Sequence, residues 1–223
     1  MKLARCKVVL LAVSIWITAA FAQLLENPEM SNAATKKPAR TQSDNKAQAT
    51  IRLRVYDFAH LDPAVLADAK KVTTEIFRKA GVETVWLDCP AYQADCGEEP
   101  ERLQFMLRIL SPPMEKEMVA EDALGFAIPC REDDRGCLFY ILYSRISALA
   151  AEHNIGPGRI LGHVMAHEIG HALLGPDAHD PYGLMQAKLS ISGLDWRTLY
   201  FTFAQSRRIQ TELARNRAAN RTR

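Results

Sequence analysis

The run His167-Glu168-Ile169-Gly170-His171 combines residue types and spacing that suit metal chemistry. Residues four apart on a helix lie one above the other, so both imidazoles can reach a single ion. Imidazole nitrogen is a common zinc ligand. Glu168 follows the first histidine by one residue and points to the side of that axis. There it can take a proton from a metal-held water without occupying the metal itself. Ile160, Leu161, Val164, Met165, Ile169, Leu173 and Leu174 supply an apolar helical surface around the motif, and Gly175-Pro176 ends it. Burying two histidines and a carboxyl group in such a setting is costly without a partner. The expectation is therefore one catalytic Zn2+, held by His167 and His171, with Glu168 as general base.

His163 lies one turn before His167 on the same face. Three histidines at i, i+4 and i+8 span about 12 Å along a helix, too far to share one ion through bonds of about 2 Å. His163 is thus expected to pack or to hydrogen-bond, and His60 and His153, in or beside turns, receive no metal role.

The helix, the turn at Gly175, the further His179 and the Gly183-Leu184-Met185 stretch together resemble the metzincin zinc peptidases. The same helix, read through Leu173-Leu174-Gly175, also resembles exported bacterial proteins with an H-E-I-G-H motif. The resemblance implies a third ligand after the glycine turn and a methionine, Met185, in a tight turn beneath the metal. It also implies a peptide or protein substrate lying along an edge strand, for which Ala123 to Ile128 with Gly125 is the candidate, and Tyr182 is a candidate oxyanion partner. The sequence departs from the clan at one point: position 174 is leucine and the glycine is Gly175. Clan spacing would make Asp177 the third ligand. The later turn, stiffened by Pro176, favours His179, whose imidazole also matches zinc better than a lone carboxylate. A zinc-binding domain without turnover and a non-peptidase zinc amidohydrolase are the rival readings. An intact Glu168 argues against the first, because a purely structural site needs no base.

The elements that must position these groups follow from periodicity. Ile51, Leu53 and Val55 alternate with polar or larger residues as in a half-buried strand. Asp62-Pro63 then caps a helix ending near Gly81. Further strands are expected at 82–87, 103–109, 123–128 and 138–143, and a helix at 144–152. Gly156-Pro157-Gly158 is expected to break the chain before the motif helix. Thr202-Phe203-Ala204-Gln205 resembles a capping box opening a final helix. The predicted fold class is α+β: a metzincin-like zinc-peptidase domain with a twisted mixed sheet, a long backing helix and the active-site helix.

The 223 residues carry a formal net charge of +2, which gives no general argument for nucleic acid. Residues 1–22 read as a signal peptide: Lys2, Arg5 and Lys7, then an apolar run closing on Ala20-Phe21-Ala22. Residues 23–49 read as a disordered linker, 50–205 as the catalytic domain and 206–223 as a basic helical tail. Four cysteines follow the signal, and in an exported chain they suggest disulfides; closure of short polar loops favours the pairs Cys89–Cys96 and Cys130–Cys137, while sequence alone leaves the two other connectivities open. A secreted or periplasmic monomer with no stable membrane span after signal removal is expected.

Overall fold

A computed structural model describes residues 49–92, 96, 104–116, 123–128, 137–187 and 199–221. The expected signal peptide, and the linker apart from Ala49, lie outside the described residues, as does Cys130 of the second expected disulfide. No helix among the described residues is long and apolar enough to cross a membrane.

The alternation of Ile51, Leu53 and Val55 places all three in the core from one face of strand β1 (Ala49–Asp57). Helix α1 (Pro63–Lys79) starts where its cap chemistry predicts. Asp62 Oδ1 accepts from the Ala64 N–H at 2.8 Å, and Pro63 takes the first helical position. Strand β2 (Val82–Cys89) then runs parallel to β1. The remaining elements are β3 (Gln104–Leu110), a short α2 (Pro112–Glu115), β4 (Gly125–Ile128), β5 (Cys137–Leu142), α3 (Tyr143–His153), α4 (Pro157–Leu174) and α5 (Phe203–Arg221).

The five strands form one mixed sheet in the order β2-β1-β3-β5-β4, parallel throughout except for β4, which pairs antiparallel with β5 at the edge. A helix interposed between β1 and β2 requires a crossover and hence a parallel pair. The sheet is mixed, as expected, and with its parallel β1–β2 crossover the fold is mixed α/β, where the sequence order suggested the α+β class. Leu107, Ile109, Phe139 and Ile141 continue the buried face begun by β1, and α1 and α4 form part of the same core.

Helix α4 is set close against α1. A Cβ at Gly162 would lie 2.6 Å from Val72 Cβ, and Thr73 Oγ1 is 2.9 Å from the Gly162 carbonyl, to which it donates. This contact fixes the depth of the motif helix in the molecule. The structure shows how three helices start. Gly156-Pro157-Gly158 begins α4, with Gly156 at the cap and Pro157 in the first turn, because proline fits a position whose N–H needs no partner. Pro112 likewise opens the short α2 directly after β3. Helix α3 is capped from outside: buried Glu115 accepts from the Ser144 N–H at 2.9 Å and from the Ser144 hydroxyl.

The basic stretch from 206 is not a separate tail. Ile209 and Leu213, four residues apart on α5, are fully buried in the core, and the Gln210 side-chain amide donates to Ala80 O at 2.7 Å. Burying an isoleucine or leucine stabilises by roughly 1.5–3 kcal/mol, so the boundary expected at 205 falls inside an integral helix.

Candidate active site

Helix α4 presents His167 and His171 on one face, and the chain beyond its end brings His179 to them. Gly175 closes the helix with φ 101°, a conformation that L side chains rarely adopt, and its N–H donates to His171 O at 2.8 Å. The three rings converge, with centroids 4.8 Å apart for His167–His171 and His171–His179, and 5.6 Å for His167–His179. One ring nitrogen from each lies within 4.8 Å of the others.

The tautomers follow from the carbonyls that the rings face. His167 Nδ1 is 2.9 Å from Leu184 O and His171 Nδ1 is 3.4 Å from Gly175 O. A carbonyl only accepts, so each Nδ1 carries the proton and each Nε2 presents a lone pair. Those two Nε2 atoms face one another at 3.1 Å. Opposed lone pairs at that distance suit a shared cation, and the donor set of three imidazoles fits zinc. Burial first, and then the neighbouring histidines, push the His167 pKa down to about 4. His171 is lowered too, chiefly by burial. Both are therefore neutral, ligand-competent imidazoles near pH 7.

Glu168 is buried beside this cluster. A Cβ on Gly125 would stand 3.1 Å from Glu168 Cγ and Oε1, so the carboxyl group packs against the bare backbone of β4. Burial raises its pKa to about 8.

Met185 is fully buried beneath α4. Its Sδ would lie 2.6 Å, and Phe201 Cε1 3.0 Å, from a Cβ at Gly170, so the glycine of the motif admits the methionine and the aromatic ring. The loop that carries His179 and Met185 is braced along its length. Asp180 N donates to Met185 O at 2.8 Å, and Leu184 N donates to Tyr200 O at 2.9 Å. Thr202 and Gln205 form a reciprocal cap on α5, at 2.9 and 3.3 Å, and the Gln205 amide also donates to Asp180 Oδ2 at 3.3 Å. Sequence reasoning found the cap but missed its second use, since only the fold brings Asp180 to it.

A cleft of about 930 Å³ exposes His167, Glu168, His171 and His179 and is walled by 123–128 of the β4 edge. Among the described residues, the sequence candidates brought together are His167, Glu168, His171, His179 and Gly125, with Met185 below. Asp177 is exposed and outside the cluster. Tyr182 is also left out: it is exposed and absent from the cleft wall, and its backbone N–H is tied to Asp180 Oδ1 at 3.0 Å. His163 is buried one turn back, with Nδ1 2.8 Å from Arg159 O. Cys89 and Cys96 are bonded at 2.08 Å, closing a loop after β2.

The chain is similar to the archaemetzincin of Methanopyrus kandleri, at 16% identity and a TM-score of 0.46 over 74% of this chain and 97% of that one. It is also similar to the protein TM1509 of Thermotoga maritima, at 15% identity and a TM-score of 0.33 over 75% and 93%. No family model and no curated protein matches it.

Proposed function

We propose that this chain is an exported zinc metallopeptidase, secreted or periplasmic, that hydrolyses peptide bonds in a peptide or protein substrate. The observation that carries the reading is the convergence of three imidazoles beside a buried carboxyl group in a cleft walled by a sheet edge. His167, His171 and His179 would hold the ion. Bound zinc would supply a Lewis acid for the scissile carbonyl and lower the pKa of a water towards about 7.

The chain's own groups do the rest. Leu184 O and Gly175 O hold the Nδ1 protons and so keep the Nε2 atoms of His167 and His171 turned to the cation. The Glu168 carboxylate accepts the proton of the attacking water and returns it to the leaving amine. Burial alone raises its pKa in the metal-free chain, and a cation held by the neighbouring histidines would lower it and favour the carboxylate form that the base needs. Strand β4 orients the substrate. Leu142 N donates to Leu124 O, so alternation along the antiparallel pair turns the main-chain groups of Gly125 and Ala127 away from β5 and towards the cleft. An extended peptide can add there as a further strand.

Glu168→Gln tests the assignment. The variant is expected to keep about one zinc ion per chain and to lose hydrolysis by at least ~100-fold, the usual scale for losing an acid–base group. Equal turnover by variant and parent sinks the mechanism. Loss of zinc would show that Glu168 is a ligand.

A further inference from the structure

A second cavity, of about 430 Å³, lies between the end of α4 and α5 and is bordered by Ala172, Gly175, Arg208, Thr211, Glu212 and Arg215. Ala172 and Gly175 also line the histidine cleft, so the two depressions adjoin through these residues. Arg208 Nη2 stands 3.9 Å from the Cβ position of Gly175, the residue whose carbonyl faces His171 Nδ1. Among the described residues no carboxylate comes within ion-pair reach of Arg208. Arg215 is 3.5 Å from Glu212 Oε2 and three-quarters exposed. The cavity is therefore lined by two guanidinium groups and one carboxylate, and that carboxylate is near Arg215 alone. The negative end of the α4 dipole accounts for part of the attraction that keeps Arg208 there. It cannot use all five guanidinium N–H donors.

We propose, resting on the reading of the cleft as a peptide site, that α5 supplies an anion subsite. Arg208 and Arg215 take a carboxylate of the bound peptide a short distance from the metal-binding histidines. That carboxylate has two possible sources, an acidic side chain or the peptide's free C-terminus, and both offer the paired oxygens that a guanidinium fork binds. The subsite selects by charge, and because it is open to water its pull is screened by salt.

The test uses the full zinc-loaded chain carrying Glu168→Gln, so that binding is read without turnover. Four matched fluorescent peptides are titrated: one with an internal Glu and one with Gln in its place, each with a free or an amidated C-terminus. The expected result is about 2–5-fold tighter binding for the peptide bearing the favoured carboxylate, the scale of exposed charge pairs. The preference is expected to vanish at about 1 M salt, where the screening length is about 3 Å. It is also expected to vanish in Arg208→Gln/Arg215→Gln, with zinc content and Tm unchanged. Whether the gain follows the Glu side chain or the free terminus identifies the source. Equal binding of all four peptides, a preference that survives the double substitution, or no peptide binding at all overturns the proposal. A preference that depends on the arginines stands even where the parent chain cleaves nothing, an outcome that would sink the peptidase reading alone.

Discussion

Gly170→Ala places a methyl group where the structure has none to spare. The new Cβ would lie 2.6 Å from Met185 Sδ, 3.0 Å from Phe201 Cε1 and 3.3 Å from Met185 Cε. Met185 is fully buried and Phe201 nearly so, and neither can swing out to solvent. Overpacking of this kind costs about 1–3 kcal/mol, and the better helix propensity of alanine offsets about 0.5–1 kcal/mol of it. The net loss is up to about 2.5 kcal/mol, and in a domain of this size each kcal/mol lowers Tm by about 2–4 °C. A second effect reaches the metal. Moving Met185 drags Leu184, whose carbonyl holds the His167 Nδ1 proton at 2.9 Å. Disturbing such an outer partner costs about 10–100-fold in metal affinity. Thermal unfolding in chelator reads the first effect, and competition against a chromophoric zinc chelator reads the second. Repeating both measurements in a Met185→Ala background isolates the clash, because the penalty of Gly170→Ala should then fall by more than half. An unchanged Tm and zinc affinity in the single variant, or an equal penalty in both backgrounds, would refute the packing argument.

Other measurements probe the titrating groups and the third ligand. His167 is held at about 4 in the folded metal-free protein, against 6.5 when free. That contribution to stability is present above pH 6.5 and is lost as pH falls towards 4. Glu168 runs the other way: its folded pKa of about 8 lies above the ordinary 4.5, so stability is lost as pH rises between these values. Glu168→Gln should therefore gain on the parent steadily from pH 5 to pH 8 in chelator. Parallel stability–pH curves for the two proteins would contradict the burial argument. For the third ligand, His179→Ala is expected to lose zinc and Asp177→Ala to keep it. The opposite pattern in equilibrium dialysis would reassign the site.

Much of the site was legible because its signals are local. The H-E-x-x-H spacing defines one helical face without reference to the rest of the chain, and Gly175 marks the turn that returns His179. The first helix was equally legible, since Asp62 and Pro63 cap it from within its own sequence. What escaped depends on partners distant along the chain. Glu115 caps α3 from 29 residues away, and only tertiary packing could show it. The helix from Phe203 to Arg221 was legible from its capping box, but its packing was not, because its buried stripe consists of few residues, notably Ile209 and Leu213, among several arginines. The parallel β1–β2 pair was implicit in the long helix between them, but no single strand carries that information.

The cap at Thr202–Gln205 has a further consequence through its bond to Asp180. The side chain that starts α5 also pins the residue next to His179, and Tyr200 O holds Leu184. Docking of α5 and the geometry of the histidine loop are then two parts of one equilibrium. Any coupling between them is reciprocal: a docked α5 favours ion capture, and a captured ion favours the docked helix by the same free energy. The three histidines alone, present in an incompletely folded chain, would be a poorer trap, because their loop would lack its outer brace. Metal affinity is in this sense expected to depend on the docking of a helix that contributes no ligand.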